Sequence, residues 1–290
     1  GGLPSNTVIP THSELKFTTY RMETAVDFER RYAARSRLDV ISKTFSRIAQ
    51  ELMLKQEQTS ANLLLGVLAN ASTNSQSHVI QSATSNQFLI DDVNRLITRA
   101  KRINTAWNGG TPVSGSRGVT DLIVSPEIMG EIRAMAYNPL NTKGSGAAGA
   151  KANGDVVPGT EEFRNQLYKN AGVSEIYGIN ITEINEMGVG QRFNAVYNAL
   201  IAGGKPGDVG HTGGNWGGNT GATADEIIIG IDRTKDSLMR AISVDSDTGS
   251  ELNLVADDQY TVRQQKVGYY GSIEEGRMVL DKRALTGIVV

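Results

Sequence analysis

Apolar positions recur at spacings of three and four along one long stretch, Ser36 to Asn70, and the other segments fall around it. Leu38, Ile41, Phe45, Ile48 and Leu52 lay a stripe along a helix, and after a polar gap from Lys55 to Ser60 the stripe returns at Leu63, Leu64 and Val67. Ser36, with Asp39 three residues on, reads as an N-cap with an acidic partner. With a rise of about 1.5 Å per residue such a helix runs roughly 50 Å, more than a small domain is wide, unless it breaks near Gln56. Ahead of it, residues 1–13 hold two prolines and almost no periodicity, which predicts an extended arm. Residues 15–37 join strand-favouring Phe17, Thr18, Thr19 and Tyr20 to an Arg- and Glu-rich part with no apolar face. They predict an extended, charged hairpin or loop.

Beyond the long helix, Ala71 to Ser85 is polar and reads as a loop. A second helix follows on Leu89, Val93, Leu96, Ala100, Ile103 and Trp107. Asp91 and Asp92 stand in its first turn and Arg99, Lys101 and Arg102 near its end, as the helix dipole favours. Val119 to Val124 predicts a strand. Ser125 then caps a helix opening on Pro126 and Glu127, whose buried face is Ile128, Met129, Ile132 and Met135. Asn138-Pro139 ends that helix, Gly144 to Gly159 is a loop, and Thr160 starts another helix with Phe163 and Leu167 on its apolar face.

Tyr177 to Ile184 reads as a strand, and Gly203 to Gly221 as a surface or contact loop. Glu226 to Ile231 predicts a buried strand, Asp236 to Ile242 a short helix, Tyr260 to Tyr270 a long strand, Gly271 to Glu275 a turn and Arg277 to Leu280 a further strand. The apolar run Leu285 to Val290 predicts pairing into a sheet. With no internal repeat, the class is α+β.

Composition narrows the function more than the fold. The 290 residues are 39% hydrophobic and 21% charged, with a formal net charge of -2, which suits a globular protein and not a strongly basic nucleic-acid binder. There is no cysteine, so disulfides, thiolate nucleophiles and cysteine-ligated zinc are excluded. His12, His78 and His211 all fall in predicted loops and read as exposed, with no carboxylate at ligand spacing. The Gly144–Gly149 string matches GxGxxG but lacks the strand before and the helix after that dinucleotide binding requires. Asp245, Asp247, Gly249 and Glu251 resemble a calcium loop, yet the glycine falls one place early and Ala256 fills the twelfth position. No GxSxG elbow occurs. The expected catalytic, cofactor-binding and metal residues are none, and function is expected to lie in surfaces.

The order of segments resembles the major capsid proteins of tailed bacteriophages, with the Hong Kong 97-type fold. An arm and a charged extended segment before a long helix match that family's N-arm, E-loop and spine helix. Residues 121–139 (DLIVSPEIMGEIRAMAYNP), 177–184 (YGINITEI) and 266–289 are similar to its strand-and-helix unit, an A-domain strand and the closing strands. The resemblance implies an N-arm at 1–13, an E-loop at 14–35, a P-domain with the spine helix at 36–85, an A-domain at 86–256 and P-domain closing strands at 257–290. It implies a non-enzymatic subunit that self-assembles into hexamers and pentamers, forming an icosahedral head around packaged double-stranded DNA. The partners would be its own copies, a portal, any decoration protein and DNA held by weak non-specific contact, with no membrane. The setting would be the virion, assembled in the host bacterial cytoplasm. Gly1 in place of methionine fits removal of a leading scaffolding segment by a maturation protease. Lys16 is the only lysine before Lys43, with no surrounding pattern that carries over the family's lysine–asparagine cross-link. The alternatives are an encapsulin-like compartment shell, which shares the fold, and an α+β enzyme.

Overall fold

A computed structural model of the chain describes residues 16, 18–29, 31, 39–73, 75–84, 87–105, 118–134, 175–209, 226–244, 249–257 and 266–290. The arm at 1–13, the loop at 138–160, the helix after Thr160, Trp107, Met135, His12, His211, the Gly144–Gly149 string and most of 203–221 lie outside these residues. The chain divides into two compact units, one of Gly1–Met53 with Arg240–Met278 and the other of Leu54–Met239 with Val279–Val290.

The long helix, α1, runs from Asp39 to Asn70 without a break at Gln56, about 48 Å at about 1.5 Å per residue. Its first half belongs to the first unit and its second half to the other. In the first unit β1 (Tyr20–Glu29) pairs antiparallel with the first ten residues of β11 (Lys266–Val279). On the other side of β11 lie β10 (Asn253–Asp257) and β9 (Leu238–Ile242). Alternation gives the sheet an inner face: Met22 and Ile273 pack with Ile48 and Leu52 of α1, bordered by Tyr20, Val26, Phe45 and Leu252. Tyr269 meets the Phe45 ring edge-on at 4.8 Å between centroids.

Three expectations are corrected here. The 15–37 segment holds a sheet strand, because each residue of β1 finds a β11 partner from Glu275 back to Lys266. Residues 238–242 form a strand and not a helix, since β11 offers them a pairing edge. The turn expected at Gly271–Glu275 does not form; β11 passes straight through, paired on both sides at Gly271 and Ser272.

The second unit is a mixed six-stranded sheet with helices on both faces. Its order is β4 (Val79–Gln81), β12 (Leu285–Val289), β8 (Ile227–Ile231), β5 (Asp121–Val124), β7 (Ile179–Glu183) and β6 (Glu175–Ile176). One face packs on α2 (Ile90–Thr105) and α3 (Pro126–Ala134) through Val93, Leu96, Ala100, Ile128, Met129 and Ile132. The other packs on Leu65, Leu68 and Ala69 of α1 and on Phe193 and Tyr197 of α4 (Arg192–Ile201). The α1 residues most deeply buried there are therefore one or two places from the Leu63, Leu64 and Val67 stripe that the spacing predicted. In β8, Ile228 faces the first helix layer while Ile227, Ile229 and Ile231 face the second.

Local chemistry explains the ends. Ser125 Oγ accepts the Ile128 N–H at 3.1 Å, so α3 starts where the sequence predicts. Asp92 accepts from the N–H groups of Ala83 (2.7 Å) and Leu89 (3.0 Å), capping α2. The predicted 177–184 strand is a hairpin, because Tyr177 (φ 55) and Gly178 (φ 75) turn the chain between β6 and β7. The polar loop expected over 71–85 contains the short pair β2 (Ser72–Thr73) and β3 (Gln76–Ser77), then β4, which pairs parallel with β12.

Strands from 79–81 and 285–289 share one sheet with strands from 121–124, 179–183 and 227–231.

Candidate interaction surface

The first unit's sheet turns a second face away from α1. Register places Arg21, Glu23, Ala25, Asp27 and Glu29 of β1 beside Glu274, Ser272, Tyr270, Gly268 and Lys266 of β11, and Asn253, Val255 and Asp257 of β10 continue the face. Its charges are tied into local pairs. Arg21 holds Glu23 at 3.0 Å and stands 5.7 Å over the Tyr270 ring, while Lys266 holds Asp27 at 2.9 Å. The Lys266 ammonium, by hydrogen bond and by charge, keeps Asp27 below its ordinary carboxylate range. A hydrogen bond to Glu23 raises the Tyr270 phenol, with a smaller contribution from burial.

A cleft of about 250 Å³ opens on this face, lined by Arg21, Ser243, Ser250, Glu251, Asn253, Ser272 and Glu274. Its acids are engaged: Glu251 meets Arg240 at 3.2 Å, and Glu274 accepts from the Thr19 hydroxyl at 2.9 Å. Val255 of β10 is exposed on this face, an apolar side chain beside its polar groups. Apolar surface next to hydrogen-bonding groups is what protein–protein contact uses.

Beneath the face a buried ionic knot fastens three strands. Glu275 is 0% exposed; its oxygens accept from Arg240 Nε (2.7 Å), Arg277 Nε (3.0 Å) and the Tyr20 hydroxyl (2.9 Å). Burial would raise its pKa, but these three donors outweigh burial and leave it below the ordinary value. Neither Glu275 nor Arg240 was singled out by sequence reasoning, because they fell in a misread turn and a misread helix. The signal for β11 was apolar alternation at Val267, Tyr269 and Ile273, which the charges of Glu275 and Arg277 interrupt.

The histidine expectation is corrected in the second unit. His78 is fully buried between β3 and β4, with Nε2 2.7 Å from Thr73 Oγ1 and Nδ1 3.1 Å from the carbonyls of Lys282 and Leu285. Burial lowers its pKa, against the opposing pull of those carbonyls. It cross-links β4 to the turn before β12. Arg99, expected simply to complement its helix end, also donates to the Ser77 carbonyl and to Gln76, tying α2 to β3. Of the calcium-like string, Glu251 is committed to Arg240, and among the described residues no group of three or more metal-binding side chains forms. Among the described residues no helix is long and apolar enough to cross a membrane.

No family model matches the chain, and no curated protein matches it. Solved structures do. The capsid of the empty GTA particle matches with a TM-score of 0.54 and 13% identity over 100% of this chain and 80% of that one. The native GTA particle capsid gives 0.53 and 12% over 94% and 73%, and the capsid of cyanophage P-SCSP1u gives 0.51 and 13% over 99% and 80%. The chain therefore has the fold of phage-type capsid subunits, the Hong Kong 97-type α+β fold. At these identities the likeness is one of architecture.

Proposed function

We propose that the protein is the major capsid protein of a tailed bacteriophage, building hexamers and pentamers that close into an icosahedral head around double-stranded DNA. The observation that carries this reading is a likeness to capsid subunits spanning the whole chain. The first unit supports it, since its outer face joins paired charges to the exposed Val255 and suits contact between copies. In this reading residues 1–13 act as the N-arm and 14–35 as the E-loop, reaching neighbouring subunits. Residues 36–85, with the long helix, and the closing strands at 257–290 form the P-domain, and 86–256 forms the A-domain. The portal and any decoration protein bind the finished lattice, DNA touches it weakly, and the particle assembles in the host bacterial cytoplasm. The near-neutral net charge of -2 suits a container filled by a motor better than one that gathers its genome through basic tails.

The test is electron microscopy of the purified protein in negative stain. Closed particles with five- and six-fold capsomers are expected. A variant lacking residues 1–34 is expected to give soluble monomers or capsomers, and intact shells from it would refute the contact role of that segment.

A further inference from the structure

The end of the six-stranded sheet where β8 begins holds an acid with nothing to bind it. Glu226 is 0% exposed, and neither of its carboxyl oxygens has a hydrogen-bond partner. Its main chain is fixed. The Glu226 N–H donates to the Val290 carbonyl at 3.3 Å, and the Val290 N–H donates back to the Glu226 carbonyl at 2.9 Å. The next N–H, that of Ile227, donates to Oδ1 of buried Asn194 on α4 at 3.2 Å. The side chain is thus held inside by bonds it does not itself make.

Among the described residues no cation acts on it. From α3 comes Glu127, a second carboxylate acting on it, α4 supplies neutral Asn194, and Val290, just past β12, supplies main chain. The turn between β7 and α4 packs on Glu127, where a Cβ on Gly188 would lie 2.8 Å from Glu127 Oε2. The same turn carries Glu186, whose Oε2 is also buried without a partner. Burial first, and the Glu127 charge second, push Glu226 from its ordinary 4.5 up to about 8.

We infer that Glu226 is a proton-controlled latch. As the neutral acid it lies packed where β8 meets the end of β12, and removing its proton releases that junction. In a locally opened state the carboxyl meets water and recovers its ordinary 4.5. Between 4.5 and about 8 the closed state therefore keeps a proton that the open state gives up. Opening then becomes about tenfold more favourable with each pH unit, and above about 8 the dependence levels off. The inference concerns the second unit alone and does not depend on the shell reading.

Hydrogen exchange of the full chain tests it, followed at the amides of Ile227–Ile231 and Ile288–Val290 from about pH 5 to about pH 9. After correction for intrinsic exchange, the opening constant is expected to climb about tenfold per unit and flatten near the top of the range. The Glu226→Gln variant is expected to show no such climb, and β11 amides in the wild type are expected not to share it. A flat wild-type profile, or an equal climb in Glu226→Gln, overturns the latch. Should that variant fail to fold, the ¹³C shift of the Glu226 carboxyl in the wild type decides. Titration above about pH 7 supports the latch, and a midpoint near the ordinary glutamate value overturns it.

Discussion

Replacing Glu275 by glutamine keeps the side chain's volume and removes the charge that Arg240 and Arg277 share. Deleting one partner of a buried ion pair costs about 3–5 kcal/mol when the other charge stays buried. Here the guanidinium side chains are 35% and 17% exposed, and Arg240 retains Glu251 at 3.2 Å, so both cations recover part of their solvation. The expected loss is about 2–3 kcal/mol at neutral pH, below the fully buried case but well above a surface pair. In urea, with a slope of about 3 kcal/mol per molar, the unfolding midpoint should fall by about 1 M. The sign of the pH dependence is fixed by the lowered pKa. The contribution of Glu275 is complete above its unfolded value of 4.5 and is lost as pH falls through the folded value. The gap between wild type and variant should therefore close as the solution is acidified below about pH 4. A gap under about 0.5 kcal/mol at neutral pH, or one that stays constant into acid, would refute the view that an ionised Glu275 binds β1, β9 and β11 together.

Two further substitutions probe the second unit. Gly207→Ala should destabilise by about 1–3 kcal/mol in the same urea assay, because its Cβ would sit 2.8 Å from both Ala69 Cα and the Tyr197 hydroxyl, and the Ala69 backbone cannot swing away. Tyr177→Asn should raise the melting temperature in calorimetry, with a gain of about 0.5–1 kcal/mol. Tyr177 is 61% exposed and gives up little packing, and asparagine accepts positive φ in a two-residue hairpin turn far more readily than tyrosine.

Where a single period persisted, the sequence was readable. Val93, Leu96, Ala100 and Ile103 placed α2, and the isoleucines of 227–231, interrupted only by Gly230, placed a strand buried on both faces. The helix at Arg192–Ile201 was overlooked although Phe193, Val196, Tyr197 and Leu200 carry its spacing. Residues 238–242 and 271–275 were misread for a physical reason. Short runs such as LMRAI have no decisive period, and only the pairing edge of β11 makes them strand. The capsid-type fold was legible in segment order, whereas the outer face and the Glu275 knot depend on register between β1 and β11, which local pattern does not encode.

The six-stranded sheet has a kinetic consequence. β12 lies between β8 and β4, with Gly287 opposite Val79 across most of the chain's length. Closing so distant a pair costs entropy before any contact repays it, so this insertion should come late and slowly. Until it happens, the isoleucines of β8 and the main-chain edge beside them stand open to any other strand. Newly made subunits would then be most prone to clump in the interval before β12 slots home, and a chaperone that shields one bare strand would raise the yield more than one that merely prevents collapse.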